Sequence, residues 1–140
     1  LKGSETQLTE RQEILTGHGE LILVVDDEAT IREITKMTLL AHNHKVLVAS
    51  DGIEAISVFT QHKHEIALVL MDMMMPSMNG LSAIQILQKI NSQIKIIAVS
   101  GLSSSEKIAS TMDCGVKTFL SKPYTTQELI KTINSVLNMP

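Results

Sequence analysis

Residues 21–27 read LILVVDD, and this stretch decides the fold of the 140-residue chain. Five consecutive apolar residues are typical of a strand that is covered on both faces, as the inner strands of a parallel sheet are. Strand-like and helix-like segments alternate from this point onward. The predicted strands are residues 21–25, 45–49, 66–71, 94–99 and 116–120. Strict alternation predicts an α/β fold, with a parallel sheet between two layers of helices and right-handed crossovers.

Three segments after predicted strands carry the start signal of a helix. Each has a side-chain acceptor followed three residues later by a glutamate, as in a capping box. These pairs are Asp51 and Glu54, Ser103 and Glu106, and Thr125 and Glu128. Apolar residues recur at helical intervals in four segments, as on the apolar face of an amphipathic helix. They are Ile31, Ile34, Met37 and Ala41; Ile53, Ile56 and Phe59; Leu81, Ile84, Leu87 and Ile90; and Leu129, Ile130, Ile133 and Leu137.

Composition and charge restrict the classes of protein that fit. A chain of 140 residues, 44% of them hydrophobic, is large enough for one domain with a substantial core. Its net charge of −3 and the lack of a basic stripe argue against direct nucleic-acid binding. No apolar run approaches the roughly 18 residues of a membrane helix, so we expect no membrane contact by this domain. The single cysteine, Cys114, suits a reducing, cytoplasmic compartment, although a longer parent protein could be membrane-anchored.

The first part of the chain differs in composition from the rest. Residues 1–20 are polar and contain the flexible sequence Gly17-His18-Gly19, so we interpret them as a linker from an upstream domain. The domain itself is predicted to span residues 21–138. The chain starts with Leu1 rather than methionine, which suggests a fragment of a longer protein.

Four charged side chains follow three of the predicted strands. Asp26 and Asp27 come directly after the first strand, Asp72 after the third and Lys122 close after the fifth. Because the carboxyl ends of parallel strands meet at one edge of a sheet, we expect these side chains to share one crevice. Carboxylates held together repel one another, and Mg²⁺ relieves that repulsion, since its ligands are carboxylate, water and phosphate oxygens. For Asp26 and Asp27 alone, a role as helix caps stays open.

Asp72 is the candidate nucleophile of this crevice. It ends its apolar run before Met73-Met74-Met75-Pro76, and an aspartate carboxylate can attack phosphorus to give an aspartyl phosphate. Mg²⁺ and Lys122 would offset the negative charge of the transferring group. Ser100, which closes the fourth apolar run and precedes Gly101, could donate a hydrogen bond to a phosphoryl oxygen.

The chain resembles the receiver domains of two-component response regulators over about residues 21–138. The motifs that carry the resemblance are Asp26-Asp27-Glu28, Met71-Asp72 with Met75-Pro76 and Asn79-Gly80, Ser100, and Lys122-Pro123. The resemblance implies a flavodoxin-like (βα)5 three-layer sandwich with a five-stranded sheet in the order 2-1-3-4-5. It also implies a phosphoprotein of a signal-transducing phosphorelay. Its cofactor would be Mg²⁺, and its phosphodonor a histidine kinase or a histidine-phosphotransfer protein.

The resemblance assigns roles to individual residues of the crevice. Asp72 would be the phosphoacceptor, and Lys122 would pair with the phosphoryl group. Asp27, Asp72 and the backbone carbonyl of Met74 would bind Mg²⁺, and Asp26 would act on the ion through water.

Further roles concern the switch between two conformations. Ser100 would move toward the phosphoryl group and vacate space into which the aromatic ring of Phe119 turns. Pro123 would follow a cis peptide bond, a feature largely confined to proline. Met74 and Leu102 are apolar where some receivers carry polar groups that position a hydrolytic water, so we predict slow autodephosphorylation.

Several functions stay open on the sequence alone. The leading interpretation is the C-terminal receiver of a hybrid sensor histidine kinase, because a polar linker precedes the domain. The alternative is a stand-alone receiver, or an N-terminal one without its output domain. A Mg²⁺-dependent aspartyl phosphatase fits less well, because Met73 and Met74 stand where such an enzyme has a second acid. Ser100 and Lys122 argue against a purely structural adaptor. We expect the isolated domain to catalyse only its own phosphorylation and dephosphorylation.

Other groups of potential metal ligands have simpler interpretations. Five methionines are interpreted as packing residues rather than a copper site. They are Met71, Met73, Met74, Met75 and Met78. The histidines of 42–44 and 62–64 lack cysteine partners and helical metal spacing, so we interpret both pairs as solvated surface rather than zinc ligands.

Overall fold

A computed structural model describes residues 17–75, 80–101 and 115–139. Its strands are β1 (Leu21–Val25), β2 (Lys45–Ala49), β3 (Ile66–Asp72), β4 (Lys95–Ser100) and β5 (Thr118–Ser121). Its described helices are α1 (Ala29–Ala41), α2 (Gly52–Gln61), α3 (Gly80–Ile90) and α4 (Thr126–Leu137). The strands pair in parallel in the order β2-β1-β3-β4-β5. The flavodoxin-like α/β fold is therefore confirmed.

Two layers of helices cover the sheet. Successive side chains of a strand point to opposite faces, so each inner strand contributes to two cores. In β1, Leu23 packs in the core that contains Phe59 of α2 and also includes residues of α3. The neighbouring Ile22 packs in the other core, with Leu39 of α1 and Ile133 of α4. Helices α2 and α3 thus lie on one face of the sheet, and α1 and α4 lie on the other.

The strand predictions agree with the structure to within two residues. The runs at 21–25 and 45–49 are strands with those bounds, and β4 and β5 are shifted toward their carboxyl ends. Strand β3 extends to Asp72, so this acid is the last residue of its strand. Most residues of β1, β3 and β4 are buried, as expected for inner strands of a covered parallel sheet.

The predicted apolar face of α1 is wrong. Ile34 and Met37 are 58% and 62% exposed, and the buried residues of this helix are Thr35 and Leu39. The sequence places apolar residues on two sides of α1, and periodicity alone does not decide which side is buried. Ile53, at the start of α2, is likewise exposed.

Two of the three predicted capping pairs form, and the third lies outside the described residues. Asp51 accepts a hydrogen bond of 2.7 Å from the Glu54 N–H at the start of α2. Thr125 and Glu128 form the reciprocal capping box of α4. Ser103 and Glu106 are not among the residues that the structure describes, and neither are Met78, Leu102 and Cys114.

The interpretation of His44 as solvated surface is wrong, because this residue is only 3% exposed. The His44 ring packs so closely against Gly17 that a Cβ at position 17 would overlap the ring. Gly17 N–H donates to the His42 carbonyl over 2.7 Å, and the Asn43 side-chain amide donates to the Gly17 carbonyl over 2.7 Å. Lys45 N–H donates to the Glu20 carbonyl over 2.9 Å. We call residues 17–20 the N-terminal clip, since they fasten to the turn between α1 and β2.

Four of the five methionines interpreted as packing residues are described, and three of these four follow that interpretation. Met71 and Met75 are buried, and Met73 packs against the core. Met74 is 59% exposed. None of the four described helices has the length and apolar character that crossing a membrane requires.

Candidate functional site

The carboxyl edge of the sheet brings the three predicted acids together. Strands β1 and β3 are neighbours, and their pairing ends with Val25 opposite Met71. The next residues, Asp26 and Asp72, therefore lie side by side at this edge of the sheet. Asp26, Asp27 and Asp72 each offer a carboxylate oxygen, and these oxygens all lie within 4.8 Å of one another. The topological switch between β1 and β3 is the position where ligands bind in open α/β sheets.

The burial of these acids fits a hard cation such as Mg²⁺. Asp26 and Asp72 are 4% and 2% exposed, whereas Asp27 is exposed. Two buried carboxylates and one that reaches solvent give an oxygen-only donor set with a route of entry. Mg²⁺ keeps several of its waters and takes few protein carboxylates, and a set of this size and hardness suits it.

Lys122 extends over the two buried acids. Its Nζ lies 2.8 Å from Asp26 Oδ2 and 3.2 Å from Asp72 Oδ2. The Glu28 carboxylate lies further away, with Oε1 3.8 Å from the same nitrogen. On the backbone, Lys122 N–H donates to the Ser100 carbonyl over 2.7 Å, which fixes the start of this segment against β4. The ammonium thus bridges the ends of β1 and β3 from a segment that follows β5.

Local hydrogen bonds orient both carboxylates. Asp26 Oδ1 accepts the Glu28 N–H at 2.9 Å, and Asp72 Oδ1 accepts the Met74 N–H at 2.9 Å. Each aspartate therefore binds the amide two residues ahead with one oxygen. The other oxygen, Oδ2 in both cases, faces the ammonium of Lys122.

Burial raises the pKa of Asp72 to about 6. The Met74 N–H and the Lys122 ammonium act in the opposite direction, and the Asp26 carboxylate adds to the increase. A carboxylate in this setting is ionised at neutral pH but is poorly solvated, which is the condition of a reactive nucleophile.

Lys122 keeps its charge in this pocket. Burial alone would lower the pKa of the amine, but the hydrogen bond to Asp26 and the charges of Asp72 and Asp26 outweigh it. The pKa of Lys122 therefore lies above its ordinary value, and the residue supplies a fixed positive charge beside Asp72.

The remaining predicted residues lie around this centre. Ser100 is the last residue of β4 and pairs with Ser121. Gly101 follows it in open space, where a Cβ would contact nothing. Phe119 is partly buried against the core of α2 and α3. The peptide bond between Lys122 and Pro123 is cis. Each of these positions is compatible with the predicted role, and the roles themselves stay predictions.

Three features of the site had no assigned role in the sequence. Arg32 Nη1 donates to the Asp26 carbonyl over 2.7 Å and ties α1 to the end of β1. A Cβ at Gly80 would lie 2.7 Å from the Asp72 carbonyl oxygen, so the start of α3 can approach the end of β3 closely because this residue is glycine. Thr35 and Tyr124 share a hydrogen bond of 2.8 Å between their hydroxyl groups. Of the residues in these contacts, Gly80 had a sequence signal, as part of the Asn79-Gly80 motif.

Comparison with known proteins was consistent across three searches. The model of the response regulator receiver domain family matches residues 22–134. A chemotaxis protein CheY from Bacillus subtilis is 31% identical over 118 residues, which cover 84% of this chain and 97% of that protein. A probable transcriptional regulator ycf27 from Porphyridium aerugineum is 37% identical over 118 residues, or 84% of this chain. The chain spans about half, 48%, of the length of that regulator.

Solved structures show the same similarity. A receiver domain protein from Clostridium thermocellum superposes with a TM-score of 0.81 at 33% identity, covering 85% of this chain and 94% of that one. A chemotaxis protein CheY4 from Vibrio cholerae gives a TM-score of 0.80 at 26% identity, over 85% of this chain and 99% of that one.

Proposed function

Because this chain belongs to the response regulator receiver family of two-component signalling, we propose that it accepts a phosphoryl group on Asp72. One observation carries the proposal. Three carboxylates lie within 4.8 Å of one another, and Lys122 Nζ is 3.2 Å from the oxygen of Asp72 that faces it. This combination offers a nucleophile, a cation site and a fixed positive charge in one crevice.

The transfer step follows from the ionisation of Asp72. With a pKa of about 6, the carboxylate is mostly ionised at neutral pH and can attack phosphorus. A bond forms between the carboxylate oxygen and phosphorus, while the bond between phosphorus and a nitrogen of the phosphohistidine breaks. The electron pair of that bond stays on the imidazole nitrogen of the donor, which leaves as a neutral or protonated ring.

The surrounding residues stabilise the transferring group electrostatically. Lys122 would move with the phosphoryl oxygens and neutralise part of their charge, and the Ser100 hydroxyl would donate to another of them. Asp27, Asp72 and the carbonyl of Met74 would hold Mg²⁺, with Asp26 acting through water. When bound, the ion supplies further positive charge to the phosphoryl oxygens.

The conformational switch would start from the same oxygens. A phosphoryl group adds charge and acceptors beside Ser100, drawing its side chain inward. Phe119 lies partly buried on the neighbouring strand β5 and would turn into the space that is vacated. Couplings of this kind are typically about 1–3 kcal/mol, which is enough to shift a population without refolding.

The phosphodonor is proposed to be a protein, a histidine kinase or a histidine-phosphotransfer protein. Support comes from α1, which begins two residues after Asp27 and exposes apolar side chains. Ile34, Met37 and Leu40 are 58%, 62% and 48% exposed, respectively. An exposed apolar surface beside a reactive site is typical of a surface for protein partners.

We propose that this receiver is a module of a cytoplasmic hybrid histidine kinase, with a stand-alone receiver as the second candidate. The polar composition of residues 1–20 favours the first. The second is favoured by the 97% coverage of the Bacillus subtilis CheY protein. The sequence upstream of Leu1 decides between them: an ATP-binding kinase region supports the hybrid protein, and an initiating methionine within a few residues contradicts it.

Labelling by a small phosphodonor tests the acceptor. Acetyl phosphate and Mg²⁺ should label the wild-type protein, and Asp72→Asn should abolish the label. Asp51→Asn is the matched control, because Asp51 follows β2 at the same edge of the sheet but caps α2. Equal labelling of wild type and Asp72→Asn would refute the assignment, as would loss of labelling in Asp51→Asn alone.

A further inference from the structure

The position of Lys122 relative to Asp26 is not fixed by the sheet. In the order β2-β1-β3-β4-β5, two strands separate β1, which carries Asp26, from β5, which precedes Lys122. Variation in strand spacing and twist accumulates across those two strands. Nevertheless, the ammonium lies 2.8 Å from Asp26 Oδ2. A second contact across the carboxyl edge of the sheet would restrict the position of Lys122 beyond what strand pairing provides.

Thr35 and Tyr124 make such a connection. Thr35 lies on α1, the helix that follows β1, and Tyr124 lies two residues after Lys122. Their hydroxyl groups are 2.8 Å apart, although the residues are 89 positions apart in the chain. The hydrogen bond therefore joins the element after β1 to the segment after β5.

Thr35 is an unusual residue for its position. It is 2% exposed, on a helix that leaves Ile34 and Met37 in solvent. A buried hydroxyl costs free energy unless it has a partner, and an apolar residue would bury more favourably. The partner of Thr35 is Tyr124, so the polar side chain at this buried position is accounted for by this one bond.

The charged side chains of the site act on the phenol of Tyr124. Burial raises the pKa of this phenol, and the charges of Asp26 and Asp72 add to the increase. The bond to Thr35 and the charge of Lys122 act in the opposite direction, but the pKa stays above its ordinary value. The phenol therefore stays protonated and remains available for the hydroxyl–hydroxyl bond at neutral pH.

Other contacts fix the two ends that this bond joins. Arg32, one turn before Thr35 on α1, donates to the Asp26 carbonyl over 2.7 Å. Lys122 N–H donates to the Ser100 carbonyl over 2.7 Å. The Arg32 contact ties α1 to Asp26, and the Ser100 contact ties the lysine segment to β4. The bond between Thr35 and Tyr124 ties those two assemblies to each other without using the Lys122 ammonium itself.

We propose that Thr35 and Tyr124 are a positioning pair, which holds the segment 122–125 against α1 so that the Lys122 ammonium faces both Asp26 and Asp72. The proposal rests on the phosphoryl-accepting function proposed above. Neither residue touches the reacting atoms, and both act through Lys122.

The test measures the rate of Mg²⁺-dependent labelling by acetyl phosphate in four variants. Thr35→Val and Tyr124→Phe each delete one hydroxyl, and each should slow labelling about 2- to 10-fold, the range of one hydrogen bond. Thr35→Ser keeps the hydroxyl and should label close to the wild-type rate. The double variant Thr35→Val/Tyr124→Phe should be no slower than the slower single variant, because both changes remove the same bond.

The control is Thr38→Val on the same helix. The Thr38 hydroxyl donates to the Ile34 carbonyl within α1 over 2.9 Å, so this variant makes the same chemical change without touching Tyr124. It should label at the wild-type rate. Slowing in Thr38→Val equal to that in Thr35→Val would show a general loosening of α1 and overturn the proposal.

A spectroscopic readout reports the bond independently of activity. The chain contains one tyrosine, so tyrosine labelled with ¹³C at Cζ, the carbon that bears the hydroxyl, gives a single resonance, that of Tyr124. Thr35→Val should shift this resonance, and Thr35→Ser should leave it nearly in place. An unmoved resonance in Thr35→Val would overturn the proposal, and so would a shifted resonance with an unchanged labelling rate.

Asp72→Asn separates the two possible failures. If it is labelled as well as the wild type, the proposed function fails whatever the pair does. If it is not labelled but Thr35→Val labels at the wild-type rate, the function stands and the positioning role is refuted.

Discussion

The two edges of the sheet both bury a titratable side chain, but in opposite chemical settings. At the carboxyl edge, Asp72 is buried with an amide donor and the Lys122 ammonium in contact. At the amino edge, His44 is buried under the N-terminal clip. Glu20 Oε1 lies 3.3 Å from His44 Nδ1, yet among the residues that the structure describes neither ring nitrogen has a hydrogen bond of good geometry. Distance alone does not make a hydrogen bond, so the contact between Glu20 and His44 is electrostatic only.

The two edges differ in whether the buried side chain is neutral or charged at neutral pH. Burial lowers the pKa of His44 despite the nearby Glu20 carboxylate, so its neutral ring serves as packing. Burial raises the pKa of Asp72, but fixed donors keep this acid ionised at neutral pH. Buried charge is retained only where oriented partners surround it, and that is the edge where we propose phosphoryl transfer.

Removal of Lys122 should produce the largest change in stability. Lys122→Ala leaves Asp26 and Asp72 buried without a cation, and we expect it to lower the free energy of unfolding by about 2–3 kcal/mol at pH 7 in EDTA. The loss of stability should be smaller at pH 5, where protonation of Asp72 relieves its repulsion with Asp26. Denaturant unfolding measures both. The exposed Lys117, replaced in the same way, is the control, and an equal loss in Lys117→Ala would contradict the account.

Asp72→Asn should raise the free energy of unfolding, which is the opposite of the effect of Lys122→Ala. The folded-state pKa of about 6 lies above the ordinary value of 3.8, so the ionised acid destabilises the fold above pH 6. In EDTA at pH 7 the variant should therefore be more stable than the wild type by about 1–3 kcal/mol. As pH falls through 6 the wild type takes up its proton in the folded state, and the gap should narrow. A variant less stable than the wild type at pH 7 would contradict this prediction.

The amino edge should respond more weakly, because only the N-terminal clip depends on it. Gly17→Ala places a Cβ against the His44 ring and should release the clip, at a cost of about 1 kcal/mol. Amide exchange at Lys45, whose N–H binds the Glu20 carbonyl, measures the release directly. Phosphoryl labelling should be unchanged. Unaltered exchange at Lys45 would show that the clip does not depend on this contact.

The smallest effect should be the pH dependence of His44 itself. Because burial holds its pKa below the ordinary 6.5, its contribution to stability is complete above that pH and is lost as pH falls toward the folded-state value. The groups that act on it are Glu20, His42 and His18. Comparing Asp72→Asn with Asp72→Asn/His44→Leu between pH 7.5 and about 5.5 removes the opposing contribution of Asp72. Only the protein with His44 should lose stability on acidification, and parallel curves would contradict this.

The sequence predicts the parts of this molecule that depend on local or periodic signals. Apolar runs identify the inner strands β1, β3 and β4 because covered parallel strands leave little choice of residue. The meeting of Asp26, Asp27 and Asp72 follows from parallel topology, since the three acids lie at the carboxyl ends of the neighbouring strands β1 and β3.

Contacts between distant side chains had no such signal. Thr35 and Tyr124 meet across 89 positions, and neither residue is distinctive by itself. Periodicity predicts the wrong buried side of α1, because Ile34 and Met37 are apolar but exposed. The burial of His44 has no local sequence signal, because its ring packs against Gly17, in a segment that the composition predicts to be a linker.

The most direct test of the account is to locate the phosphoryl group by chemical trapping. After incubation with acetyl phosphate and Mg²⁺, borohydride reduces an aspartyl phosphate to homoserine, which peptide mass spectrometry assigns to one position. We predict homoserine at position 72 alone, and none when EDTA replaces Mg²⁺. Homoserine at Asp26, Asp27 or Asp51 instead, or none at any position under labelling conditions, would contradict the central claim.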